Sequence, residues 1–227
     1  MREDICTIPI SEVFEPKDGC PICRMYEMSE AHLIEYITGA AMMEPDIRME
    51  TNRLGFCPRH YVGMMKQRNR LSVSLTLETH LQEIRKTLDF AGKLPDKEQL
   101  HALHQQAQGC FVCEKIEWAV ARMFNTMFQL WQKEPDFRAL YEQQPGLCFK
   151  HTELLLRTAQ KNMNRKTYAA YAAATAKLAY KQLDPVLADI SAYCKMYDYR
   201  NAGGDWSKTK DSPERALQFL NGRENLL

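Results

Sequence analysis

The sequence predicts an all-α protein built from two copies of one helical unit. Three observations carry this. Long segments place apolar residues at helical spacing with no proline inside them. No stretch supplies a convincing set of alternating strands. A series of landmarks also recurs in the same order. Cys23 and Cys113 are 90 residues apart, as are EPDIR (44–48) and EPDFR (134–138). Cys57 and Cys148 are 91 apart, as are His60 and His151. The expected division is a first repeat over 1–95, a second over 96–190 and a tail over 191–227 that packs on the body.

The elements follow in order. RMYEMSEAHLIEYITGAAMM (24–43) and its counterpart EKIEWAVARMFNTMFQLWQKE (114–134) are amphipathic at a helical period. Each runs into Glu-Pro-Asp, where proline ends one helix and suits the first turn of the next. Short helices are expected over about 46–53 and 136–144, closing at Gly55 and Gly146. Helices follow over 61–69 and 152–163, then longer ones over 72–92 and 166–183, the latter continuing past Pro185 if the proline is tolerated. GKLPDKE (92–98) reads as the linker. In the tail, NAGGDWSKTKD (201–211) reads as a loop. SPERALQFLNG (212–222) reads as a helix with Ser212 as N-cap, Pro213 at its first position and Gly222 as its stop, packing through Leu217, Phe219 and Leu220.

The cysteines carry the chemistry. GCPIC supplies Cys20 and Cys23, GFCPRH supplies Cys57 and His60, GCFVC supplies Cys110 and Cys113, and GLCFKH supplies Cys148 and His151. Six of the eight cysteines thus sit in pairs with x-x spacing, two of the pairs being completed by histidine. Zinc takes four thiolate or imidazole ligands in a tetrahedron, and two such pairs fill one shell. The expectation is one site from Cys20, Cys23, Cys57 and His60, and another from Cys110, Cys113, Cys148 and His151. A filled shell leaves no position for substrate water, so these are structural sites, worth about 10 kcal/mol of apparent folding free energy. Each pair precedes a helix, so each ion would sit where helix N-termini, each about half a positive charge, offset the excess thiolate charge. Six thiolates and two dications move the formal net charge from +1 to −1. An iron–sulfur cluster is the alternative occupant, and plain buried thiols the other.

Other groups read as structural. Cys6 and Cys194 have no partner in sequence, and His101 and His104 read as surface residues. Glu44 with Arg48, and Glu134 with Arg138, read as braces of a helix turn. Trp118, Phe124, Phe128 and Trp131 read as core or interface. There is no phosphate-binding glycine loop, His-Glu-x-x-His or Gly-x-Ser-x-Gly. A near-zero net charge argues against nucleic acid. No run approaches a membrane span, and MREDICTIPI has no apolar signal core, so a cytoplasmic protein is expected.

Several stretches together resemble an uncharacterised bacterial family, a domain of unknown function: ICTIPISEVFE, the GCPIC and GLCFKH pairs, YDYRN and DSPERALQFLNG. The resemblance spans nearly the whole chain and implies no activity. The expected function is therefore a non-catalytic zinc protein with two ions per chain, acting through a protein partner or as a homodimer through the alanine-rich helix 166–183. A thiol-based redox or metal sensor is the first alternative. An enzyme using the tyrosine-rich stretch 193–206 is the second.

Overall fold

Proline fixes φ near its helical value and lacks the N–H that a helix's first turn leaves unpaired anyway. Accordingly, α2 (Pro21–Thr38), α3 (Pro45–Leu54), α4 (Pro58–Lys66) and α8 (Pro135–Glu142) all open on proline. The computed structural model describes residues 7–198, 200, 207 and 209–223. Among these residues it is wholly helical. The remaining helices are α1 (Ile8–Phe14), α5 (Arg70–Thr87), α6 (Lys97–Gln108), α7 (Phe111–Lys133), α9 (Phe149–Asn162), α10 (Arg165–Met196) and α11 (Ser212–Asn221), with a 3₁₀ turn over Ala40–Met43. No described helix is long and apolar enough to cross a membrane.

The chain divides into two compact units, Met1–Tyr26 with Ala121–Leu227, and Glu27–Val120. Residues 1–26 therefore group with 121–227, and the boundaries between the units fall within α2 and α7.

The first unit is organised by aromatics. Phe14 of α1 meets Phe137 of α8 edge-on at 5.2 Å and Tyr141 at 5.9 Å. Tyr171 of α10 meets Phe128 and Trp131 of α7 edge-on at 5.5 and 5.1 Å. The Tyr141 hydroxyl lies 3.1 Å from that of Tyr171 and 2.8 Å from Thr175 Oγ1, so the polar ends of these buried rings satisfy one another. Gln144 Nε2 donates to the Phe14 carbonyl at 2.8 Å, tying α1 to the loop after α8. α10 runs 32 residues through Pro185, and α11 lies against it and α9.

In the second unit, α3 packs on α5 and α6, and Leu54 of α3, Val73 of α5, Met64 of α4 and Ile37 of α2 are buried. Asn69 caps α5, accepting from Ser72 N at 3.2 Å while its amide donates to the Thr38 carbonyl at 2.9 Å.

α1 and α6 lie outside the helices expected from sequence, and α6 occupies what reads as the end of the linker and the approach to the second repeat. In the tail, Asp211 takes the N-cap position and Ser212 is the first helical residue. Gly222 ends α11 at φ +79° and ψ −162°, a positive-φ backbone that glycine adopts without strain. Only Phe219 of its three expected packing residues is buried. Leu217 and Leu220, two before and one after it, point away around the helix and are exposed.

Candidate metal centre

The four half-sites share one local geometry. In each, the first ligand immediately precedes a helix and the second sits three residues on, in its first turn. Cys57 and Cys148 are the N-caps of α4 and α9, with His60 and His151 following. Cys20 and Cys110 precede α2 and α7, with Cys23 and Cys113 following. The N-cap and the third helical residue face one another across the first turn, the relation that lets a capping box close. The x-x spacing therefore makes a chelating pair out of any helix start.

The structure brings all eight expected ligands into two clusters, but pairs them differently from expectation. One cluster is Cys20, Cys23, Cys148 and His151; the other is Cys57, His60, Cys110 and Cys113. Each joins the Cys-x-x-Cys of one sequence copy to the Cys-x-x-His of the other. The grouping of Cys20 and Cys23 with Cys57 and His60 is thus corrected, as is that of Cys110 and Cys113 with Cys148 and His151. Helix length is the physical reason. The 18 residues of α2 carry the chain about 27 Å, and the ten of α3 recover at most about 15 Å. In the second copy, 23 residues of α7 go out and eight of α8 come back.

The donor geometry fits one tetrahedral ion per cluster. Zinc–ligand bonds of about 2.3 Å to sulfur and 2.0–2.1 Å to nitrogen imply edges of about 3.6 Å between S and N and about 3.8 Å between two sulfurs. In the cluster whose residues lie outermost along the chain, here the outer cluster, the other being the inner one, His151 Nδ1 lies 3.1, 3.4 and 3.6 Å from the sulfurs of Cys148, Cys23 and Cys20. Cys23 and Cys148 are 3.9 Å apart. In the inner cluster, His60 Nδ1 lies 3.1, 3.2 and 3.6 Å from Cys110, Cys57 and Cys113. Two helix N-termini converge on each cluster, α2 with α9 and α4 with α7, so their partial positive charge faces the thiolates.

Charge balance also calls for a cation. Hydrogen bonding to Cys20 and Cys23, then burial, pushes the Cys148 thiol far up. At Cys20, burial acts upward but is outweighed by hydrogen bonds from Cys148 and Cys23, which hold it well below the usual thiol range. Burial, then Cys110, pushes Cys113 up. A bound cation would take the place of the protons that Cys148 and Cys113 otherwise hold. Burial lowers His60, keeping it in the neutral form that binds metal, against the opposing pull of Glu30.

Surrounding contacts fix the ligands. His60 Nε2 meets Glu30 Oε1 at 3.1 Å, so its other nitrogen faces the sulfurs. Arg59 in turn grips Glu30 with Nε at 3.0 Å and a terminal nitrogen at 2.7 Å. His151 is stacked on Tyr26 at 5.3 Å. At the outer cluster, Arg223 N donates to Cys23 Sγ at 3.4 Å, and the Arg223 guanidinium bonds to Asp18. The end of α11 is thereby built into the site. Sequence reasoning did not find Glu30 or Arg223, since neither stands near its partner in the chain.

His101 and His104 are exposed, whereas His80 is buried and bonded to the Asn52 carbonyl at 2.9 Å. Arg48 of α3 donates to Leu75 O and Thr79 of α5, and Arg138 of α8 donates to the Trp131 carbonyl of α7 and stacks on its ring at 4.7 Å, so each ties two helices together, while Glu44 accepts from Tyr36 instead. Phe124, Phe128 and Trp131 are core, while Trp118 is 62% exposed. Cys194 is exposed; Cys6 lies outside the described residues. In the tyrosine-rich stretch, Tyr193 and Tyr197 share a 2.9 Å hydrogen bond and Asp198 pairs with Arg200, while Tyr199 and residues 201–206 lie outside the described residues.

Compared with known proteins, residues 1–226 match the model of a family of unknown function, DUF6062. No curated protein matches the chain, and no solved structure does.

Proposed function

The chain belongs to DUF6062, a family of unknown function, and we propose that it is a non-catalytic zinc protein whose two Cys₃His sites fix a helical scaffold for protein interaction. The closed shells carry this reading: in each cluster four donors lie within 4.8 Å of one another, leaving no open position of the kind a catalytic zinc keeps for water. The same closeness favours a single ion over an iron–sulfur core, whose irons would hold ligand pairs apart. Thiolate with imidazole suits zinc. Reduced cysteines in metal-binding pairs suit a reducing compartment, and we place the protein in the cytoplasm.

Metal analysis of the purified chain by mass spectrometry, with an absorption spectrum of the same sample, tests this directly. Two zinc per chain and no visible band are expected. Iron with a visible chromophore would overturn the reading and put electron transfer in its place.

Interaction with a second copy is the partner we assign first. α10 buries Tyr171, Thr175 and Leu178 and leaves Ala169, Ala170 and Ala173 exposed, a face that another helix can approach closely. Light scattering should give a dimer, and tryptophan at Ala169 and Ala173 should break it. A monomeric wild type would remove self-association and leave a different protein as the partner.

A further inference from the structure

The two clusters are not equally covered. All four ligands of the outer cluster are buried, none above 6% exposure. Its sulfurs are also roofed by the chain's C-terminal segment. The Arg223 N–H donates to Cys23, and Gly222 sits so close that a Cβ there would come within 3.0 Å of Cys23 Sγ and 3.4 Å of Cys148 Sγ. In the inner cluster His60 and Cys110 are buried, but Cys57 and Cys113 are both half-buried. The described polar contacts of these two sulfurs stay within their own cluster. Access and hydrogen bonding govern how readily a metal-bound thiolate reacts.

We propose that the inner site is an exchangeable, oxidant-responsive metal site, with Cys57 and Cys113 as the sulfurs that react with hydrogen peroxide, while the outer site holds its ion permanently. This rests on the zinc reading above. One thiolate attacks the peroxide: an S–O bond forms, the O–O bond breaks, and the departing hydroxide takes a proton to become water. The second thiolate then attacks the resulting sulfenic sulfur, forming the disulfide and expelling a second hydroxide, which is also protonated. Two thiolates lose one electron each and the peroxide gains two. The Cys57 and Cys113 sulfurs lie within 4.8 Å before reaction, close enough for side-chain rotation to join them. Only Cys110 and His60 remain on the ion, and a shell of two does not hold it.

The test treats the zinc-loaded full chain with hydrogen peroxide in the presence of a chromophoric zinc chelator, then maps the cysteines by alkylation and mass spectrometry. A fast phase releasing one of the two zinc equivalents is expected, with a Cys57–Cys113 disulfide at its end. Simultaneous release of both ions would overturn the proposal, as would first oxidation at Cys20, Cys23 or Cys148. A C57S/C113S variant should retain one zinc and lack the fast phase. The wild-type map decides the matter if that variant does not fold. A chain that carries no zinc before peroxide is added refutes the zinc reading itself, a result visible at time zero.

Discussion

Glu30 touches His60 on the side away from the sulfurs and is itself held by Arg59, so it fixes both the tautomer and the angle of the ring. Replacing it with glutamine should weaken zinc at the inner site by about 10- to 100-fold and leave the outer site unchanged. Equilibrium competition with a chelator reads both affinities in one titration. Gly222 is the corresponding single point at the outer site. Its φ of +79° disfavours any side chain, and the nearest atom a methyl would meet is a ligand sulfur. Alanine there should destabilise the holo protein by about 1–3 kcal/mol, seen as a lower unfolding temperature with early amide exchange in α11. The eight clustered residues could be read from residue type and spacing because the pairing of an N-cap with the third helical residue is local. Glu30 could not, because nothing in its own neighbourhood marks which face of α2 will meet a histidine thirty residues away.

At the scale of elements, legibility followed the strength of the apolar stripe. α2, α7 and α10 are long and periodic, and proline marks where α2, α3, α4 and α8 start. α6 buries no residue, so its pattern is faint, yet it carries a full capping box: Asp96 Oδ1 accepts from Gln99 N at 2.8 Å, and Gln99 Oε1 accepts from Asp96 N at 3.1 Å. The Asp-x-x-Gln after Pro95 was the available signal. With little burial to hold it, α6 should depend on that cap. Asp96→Ala should cost about 0.5–2 kcal/mol, localised to faster exchange over 97–108 with the metal content unchanged. α1 is only seven residues long, too short for a period to show, though Phe14 anchors it firmly among the rings of α8.

For the molecule as a whole, the clustered residues were legible and their partnership was not, because pairing depends on how far each helix carries the chain rather than on any local motif. Double substitutions separate the two arrangements. C20S/C148S removes two ligands from one cluster and should leave one zinc per chain. C20S/C57S damages both clusters and should leave none. Pairing within each sequence copy would give the reverse result, and metal analysis of the two variants decides between them. The observed arrangement is nested, with 57–113 closing inside 20–151. Nesting sets a timetable for synthesis. A ribosome moving from the N-terminus completes the inner ligand set once residue 113 has left the exit tunnel. Cys20 and Cys23, made first, must then wait for His151, 131 residues after Cys20, and for the segment at Gly222 that roofs the site. Throughout that interval the nascent chain carries a half-built metal shell. The earliest cysteines made are the last to be secured, and any thief of zinc or donor of oxidising equivalents meets them in that window.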